Sequence, residues 1–367
     1  MKFNLPKDHR PYIDKYFLRA KTILEKDGLN PIVKAQVFIR KGDCKVYGLN
    51  EAIAILNKYN PNPKNMTICS LQEGDSFIGG EVLMTIKAPI QDIIDLETMY
   101  LGVLSAETTL KNGGKDIDIF KINQNMLKIT TLVGDRPVSY FGARHWRYDR
   151  DRDIASACCL GGSKNCSTDE GAKGFGQKEG IGTIPHALET IYHWTFGLNK
   201  AVEEAAAVFE IYIDEKKEAK MTLANLHIKE KIPVIALVDY ANREILDSLA
   251  VAPIVDGIRI DTCGENYMQG VMPGNDEKFC IWEGGCRDGF DYVFNPGVSL
   301  YGVYLVRKLL NDSGFVNVKI ILSSGFGNPD KVKVFIEAEK ILGMKLFDGL
   351  GVGGVYESRM ATMDIIE

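Results

Sequence analysis

The chain has no apolar run long enough to span a bilayer, no Cys-x-x-Cys pair and no excess of basic residues: 44 Lys and Arg stand against 49 Asp and Glu. Each absence excludes something. Without a spanning run, and with an N-terminus, MKFNLPKDHRPYIDKYFLRAK, that lacks the apolar core of a signal peptide, the expectation is a cytoplasmic protein with no membrane partner. The eight cysteines, Cys44, Cys69, Cys158, Cys159, Cys166, Cys263, Cys280 and Cys286, have the spacing of neither a structural zinc site nor a thioredoxin-like motif. They are read as free thiols, with Cys280 and Cys286 a bland loop pair in a reducing compartment. The net charge of -5 and a pI near 5.7 argue against a nucleic-acid partner, which selects a basic surface. Short-period repeats and low-complexity segments are absent too.

What is present suits a large globular chain. At 367 residues, 45% hydrophobic and 25% charged, it can bury a sizeable core and exceeds the usual length of one domain. Residues 1–115 read as a small α+β domain. Within it, Asp14 to Lys26 has Tyr16, Phe17, Ala20, Ile23 and Leu24 at helical spacing, and short β-rich runs with Gly turns follow. Ile90 to Leu104 returns to a helical pattern. Residues 116–354 alternate β-prone runs, PVSYFGA, GTI, PVIALVD, GIRIDT, KIILSSG and KLFDGLGVG, with amphipathic ones such as NKAVEEAAAVFEIYI and PDKVKVFIEAEKIL. That alternation demands a parallel sheet covered by helices. The fold class is therefore α/β, an incomplete (β/α) barrel with a smaller N-terminal α+β domain, and 355–367 is read as a strand returning towards the small domain. The segment from Glu265 to Pro296 lacks periodicity and is read as a loop excursion near the rim or a dimer contact.

Polar residues end the β-prone runs: Arg144, His186, Asp239, Asp261 with Thr262, Ser323 to Gly325, and Gly351 with Gly353. In parallel α/β proteins the carboxyl ends of strands open onto the active-site face. The stretch from Val138 to Leu188 concentrates such turns, with Gly-Gly-Ser-Lys at 161–164 and Gly-Thr-Ile-Pro-His at 182–186. SSGFGNP at 323–329 precedes a helix opened by Pro329 and Asp330. Its small residues let backbone N–H groups approach a phosphate, although a plain βα turn fits it equally. GLGVGG at 349–354 has the glycine spacing of a dinucleotide fingerprint, but the 13 residues after it are too few for a Rossmann unit. Asp239 and Asp261, at the ends of neighbouring strands, suit ribose hydroxyls or a magnesium ion, and each alternatively caps a helix. His186, at a helix start, is expected to protonate less readily than usual and to serve as nucleophile or base, unless it is structural. RYDRDRD at 147–153 reads as a solvated helix start, and Cys158 with Cys159 as helix core.

Taken in order, Asp14-Lys15-Tyr16-Phe17, Leu96-Glu97-Thr98, Phe141-Gly142-Ala143-Arg144, Gly162-Ser163, Gly182 to His186, Arg259-Ile260-Asp261, Ser324-Gly325 and Gly351-Val352-Gly353 give the chain a resemblance to the nicotinate phosphoribosyltransferase family. These are the type II phosphoribosyltransferases, which include the nicotinamide and quinolinate enzymes. The resemblance spans nearly the whole length. It implies transfer of phosphoribose from phosphoribosyl pyrophosphate to nicotinate in NAD salvage, with Mg2+ and with ATP as co-substrate, in a homodimer or higher homo-oligomer. By the same resemblance Phe141 would stack on the pyridine ring, with Tyr16 of a partner chain on its other face. Arg144 would bind pyrophosphate, Arg259 the base and its carboxylate, and Ser163 would lie near the base. Asp239 and Asp261 would hold ribose and metal. Ser324, Gly325, Gly351 and Gly353 would form the turns around the 5'-phosphate, and His186 would be the phosphorylated residue. Nicotinamide, quinolinate or another base, and a catalytically weak nucleotide-binding homologue, stay open. Departures from the family pattern are His145 in place of a second arginine and Thr262-Cys263-Gly264-Glu265 after Asp261.

Overall fold

The structure is a computed structural model that describes residues 3–221, 232–272 and 292–367. They form two compact units, one of residues 1–131, 138–182 and 352–367, the other of 132–137 and 183–351.

In the first unit α1 (Lys15–Lys26) buries Tyr16, Phe17, Ala20, Ile23 and Leu24, the five positions that share one helical face. Thr98 secures its start, accepting from the Asp14 N–H and donating to the Asp14 carboxylate, each at 3.0 Å. The strands β1 (Ile32–Ile39), β2 (Cys44–Lys45), β3 (Thr67–Ser70), β4 (Ser76–Phe77) and β5 (Val82–Pro89) follow, with α2 (Leu49–Tyr59) between β2 and β3. The last strand, β12 (Ala361–Ile365), pairs antiparallel with β1, giving a sheet of order β12-β1-β5-β3. The helix expected from Ile90 breaks into two 3-10 turns before α3 (Glu97–Lys111). Asp95 leaves helical geometry there, where its carboxylate meets His9 at 2.9 Å and Lys21 at 3.0 Å.

The same unit holds α4 (Ile119–Val133), the parallel pair β6 (Val138–Tyr140) and β7 (Asn165–Cys166), α5 (Asp151–Leu160) and α6 (Asp169–Gly174). The charged run before α5 is not simply solvated. Asp151 is 2% exposed and accepts from Thr168, and Arg147 bonds Glu51 and Glu107, each at 3.0 Å. A charge inside this run is tolerated because each has a partner.

The second unit carries α7 (His186–Phe196), α8 (Ala201–Met221), β8 (Ile235–Leu237), α9 (Glu244–Val251), β9 (Gly257–Ile260), α10 (Leu300–Asp312), β10 (Lys319–Leu322), α11 (Pro329–Leu342) and β11 (Gly349–Val352). Its strands are parallel and lie in the order β8-β9-β10-β11. All four residues of β9 are buried, as befits a strand covered on both faces. Arg307 of α10 ties this layer together through the Val318 carbonyl at 2.9 Å and Asp348 at 2.8 Å.

The described residues thus contain six parallel strands against the eight of a closed barrel, and the fold is an incomplete α/β barrel with a smaller α+β part. One expected strand fails. GTI at 182–184 is coil, and the additional parallel strand is the two-residue β7. Gly182 cannot be exchanged for a β-former: a Cβ there would stand 2.7 Å from the Tyr16 nitrogen. Of the excursion at 265–296, residues 273–291, with Cys280 and Cys286, lie outside the described residues.

Candidate active site

In the second unit the carboxyl ends of β8, β9 and β10 gather the polar side chains. Leu237 of β8 pairs with Arg259 of β9, so Asp239 and Asp261 each stand two residues beyond a paired position on adjacent strands. His186 opens α7 and brings Nε2 to 2.9 Å from Oδ2 of Asp239. Asp239 is buried, whereas the His186 side chain is 45% exposed. Burial pulls the imidazole pKa down, but the charge and hydrogen bond of Asp239 outweigh it and raise the pKa to about 9. This reverses the expectation drawn from the helix start. A carboxylate at hydrogen-bond distance acts more strongly than the partial positive charge of a helix end. Burial resists the charge on Asp239, but His186 and Arg259 hold its pKa below the ordinary value.

Arg259 is 6% exposed and directs Nη1 to Asp261 at 2.9 Å, with Ser323 Oγ at 3.5 Å. Thr262, the residue that departs from the family pattern after Asp261, donates to the fully buried Glu244 at 2.7 Å. Four non-glycine residues have positive φ among those described, and three of them, Ala241, Asn242 and Ser324, lie in the turns just after β8 and β10. Backbone strain of this kind is sustained where the surroundings over-determine it, commonly at functional sites.

Three acids and a lysine in this unit carry no signal that sequence reasoning detects. Glu189, one turn after His186, is completely buried, and neither of its oxygens has a hydrogen-bond partner among the described residues. Burial pushes its pKa well up. Glu244 and Asp247 lie on α9. Lys331 of α11 is 7% exposed and donates to the Ser324 carbonyl at 3.1 Å. Each stands in a charged, helix-forming run whose solvated face looks the same in sequence.

Could these residues hold magnesium? Among the described residues no group of three or more His, Cys, Asp and Glu side chains is arranged to take a metal ion. Asp239, however, keeps Oδ1 buried without a partner, and its carboxyl is held in the ionised form. Mg2+ commonly binds through one or two carboxylates together with substrate phosphates and water. The donor chemistry of Asp239 and Asp261 fits that mode, in which substrate phosphates and water would complete the set.

The first unit brings other expected residues together. The Phe141 N–H donates to the Val352 carbonyl at 2.8 Å, which sets Phe141 and Gly142 beside Gly353. A Cβ on Gly142 would lie 2.6 Å from the Gly353 carbonyl, so this approach requires glycine. Arg144 directs Nη1 to Glu97 at 2.6 Å and lies 3.8 Å from Asp14, with the Tyr16 and Phe17 rings 5.9 and 5.8 Å away. Burial opposes its charge, but Tyr16, Glu97 and Asp14 more than restore it. Tyr16 itself is 9% exposed. Ser163 gives its hydroxyl to the Val138 carbonyl at 2.9 Å, a backbone brace. His145 is neutral at ordinary pH, because burial and then Arg144 lower its pKa to about 4. Gly351 lies within β11, in the second unit, and is buried.

Comparison with known proteins agrees with this architecture. Residues 14–107 match the family described as quinolinate phosphoribosyl transferase, N-terminal domain. No curated protein sequence matches the chain. Among solved structures, the fold is similar to that of a Saccharomyces cerevisiae protein assigned as a nicotinate phosphoribosyltransferase. That match has a TM-score of 0.66 and 13% identity, and covers 100% of this chain and 92% of the other. The nicotinate phosphoribosyltransferase of Vibrio cholerae matches with a TM-score of 0.63 at 12% identity, over 97% of this chain and 85% of the other. That of Porphyromonas gingivalis gives 0.61 and 12%, over 97% and 88%. Residues 14–107 are thus similar to the N-terminal domain of that family, and the chain over its whole length shares the fold of these solved structures.

Proposed function

We propose that the protein is a nicotinate phosphoribosyltransferase, forming nicotinate mononucleotide and pyrophosphate from nicotinate and phosphoribosyl pyrophosphate, with ATP as co-substrate through His186. The observation that carries this reading is the constellation at the strand ends of the second unit. There His186 pairs with Asp239, Arg259 pairs with Asp261, and the Ser324–Gly325 turn follows β10.

The reaction asks for placement and charge more than for covalent chemistry. The pyridine nitrogen attacks C1 of the ribose as the bond from C1 to pyrophosphate breaks, through a centre with oxocarbenium character. Asp239 and Asp261 supply negative charge for that centre, and Arg259 a fixed guanidinium for an anionic group. Bound Mg2+ would neutralise the departing pyrophosphate, held by Asp239 and Asp261. His186 combines ring exposure with a buried carboxylate behind it, which suits a residue that, once its imidazolium has released a proton, takes the phosphoryl group of ATP with ADP leaving and then passes it to water. In the first unit Phe141 offers an aromatic face and Arg144 a held cation, the groups the reading assigns to base and pyrophosphate. Tyr16, Ser163, Gly351 and Gly353 complete the assignment, in a homo-oligomer.

The match of the N-terminal region to a quinolinate family model makes quinolinate the second base to try. The purified protein is incubated with phosphoribosyl pyrophosphate, magnesium and nicotinate, nicotinamide or quinolinate in turn, with and without ATP, and mononucleotide and pyrophosphate are measured. Product with nicotinate, increased by ATP, is expected. Product with another base alone would reassign the substrate, and no product with any base would leave a nucleotide-binding homologue.

A further inference from the structure

Lys331 is a buried lysine outside the groups assigned to base, ribose and pyrophosphate. It lies on the first turns of α11, a helix of 14 residues, and is 7% exposed. Its ammonium donates to the Ser324 carbonyl at 3.1 Å and lies 4.5 Å from the centre of the Phe326 ring. A Cβ on Gly325 would fall 3.2 Å from Nζ, so the turn passes directly over the ammonium. Among the described residues no carboxylate comes within ion-pair reach of it. A buried ammonium with no carboxylate in contact is costly to keep charged, and an anion placed beside it would offset that cost.

The surroundings tell which anion. The turn above Nζ has positive φ at Ser324 and Gly325, and Gly325 is open to solvent. The helix behind it is capped by Asn328, whose side chain accepts from the Asp330 N–H at 2.9 Å. A compact oxyanion at that turn would meet backbone N–H groups, the positive end of a helix and an ammonium beneath. We propose that Lys331 is the residue that makes the turn after β10 selective for a phosphate monoester dianion, by holding Ser324 in place and supplying the positive charge under Gly325. This rests on the phosphoribosyl reading of the site and adds to it the source of the charge. Burial lowers the pKa of Lys331 to about 7, against an opposing pull from Asp261. A bound dianion would favour the charged form again.

The test uses ribose 5-phosphate as probe, with calorimetry on the full-length protein, so that no base or turnover is required. Lys331→Met and Lys331→Gln are compared with the wild type and with Asp330→Asn, an exposed neighbour on the same turn. Folding is verified by circular dichroism and melting, and a variant that folds is the one read. The expected result is a Kd raised at least tenfold in the Lys331 variant, with weaker salt dependence, and a change under threefold in Asp330→Asn. Lys331→Arg, which keeps the charge, should recover part of the affinity, whereas a merely structural lysine would give no recovery linked to charge. An unchanged Kd in a folded Lys331→Met or Lys331→Gln protein overturns the proposal. Binding through Lys331 in a protein that converts no base would overturn the nicotinate reading and leave this one standing. Turnover with an unchanged Michaelis constant for phosphoribosyl pyrophosphate in the Lys331 variant would overturn this one alone.

Discussion

Nε2 of His186 stands 2.9 Å from Oδ2 of Asp239, joining the first residue of α7 to the end of β8. This pair fixes the charge at the strand ends of the second unit. The raised pKa of His186, about 9, means the imidazole is protonated at neutral pH while Asp239 is ionised. Because the folded value lies above the unfolded 6.5, the contribution of His186 to stability is complete below pH 6.5 and disappears as pH rises through about 9. Asp239 acts in the opposite sense: its contribution is present above 3.8 and is lost as pH falls through its lowered value. An NMR titration of the ligand-free protein should place the His186 midpoint near 9, and Asp239→Asn should bring it down to 6.5 or below. A midpoint near 6.5 in the wild type would mean the pair does not form in solution.

The exposed imidazole face gives a second expectation, about energy coupling. His186→Ala should abolish stimulation by ATP and leave a slow reaction that ignores ATP. Stimulation that survives the change would rule out a phosphohistidine at this position. The same substitution removes a partner from the buried Asp239 carboxylate, so the variant should also melt at lower temperature. The two effects are separated by measuring turnover well below the new midpoint.

How much of this arrangement could be read in advance depends on whether a residue's surroundings are local. The strand ends were legible because short apolar runs stop at polar residues, and Asp239, Asp261 and Ser324 lie where those runs predict. GTI misled because a three-residue run with a glycine has no fixed preference, and the approach of Gly182 to Tyr16, 166 positions earlier, decides its conformation. The direction of the His186 shift was illegible because its cause, Asp239, comes from a strand 53 residues later. Lys331 and Glu189 resemble solvated helix positions, and only packing shows that they are buried.

Arg144 separates affinity from stability. Its partner Glu97 is 3% exposed, so Arg144→Met leaves a buried carboxylate uncompensated. Breaking such a pair costs about 3–5 kcal/mol, while replacing both members by apolar residues costs far less. Denaturant titration should therefore find Arg144→Met strongly destabilised and Arg144→Met with Glu97→Leu close to the wild type. Both should raise the Michaelis constant for phosphoribosyl pyrophosphate, since neither restores the cation. A double variant with normal affinity would remove Arg144 from the phosphate-binding role and leave it a structural residue.

The loop that carries Arg144 depends in turn on Gly102. A Cβ at this position of α3 would stand 2.2 Å from the Trp146 carbonyl and 3.3 Å from that of Ala143, so the helix lies directly on the backbone of residues 143–146. Ser105, one turn on, donates to the Arg144 carbonyl at 3.0 Å and fixes the same segment. Gly102→Ala must therefore move either the helix or the loop, and Trp146, 1% exposed, cannot yield without opening the core. Gly113 is the control, because its φ is +80° and an added Cβ would meet nothing within 4 Å. Gly113→Ala should cost only about 1 kcal/mol, the ordinary penalty for an L-residue in that conformation. Urea unfolding should show Gly102→Ala several times more damaging, with a substantial loss of phosphoribosyl pyrophosphate affinity in whatever fraction folds. Equal costs at the two positions would show that α3 does not press on the Arg144 loop, and that the geometry of this cation is set elsewhere.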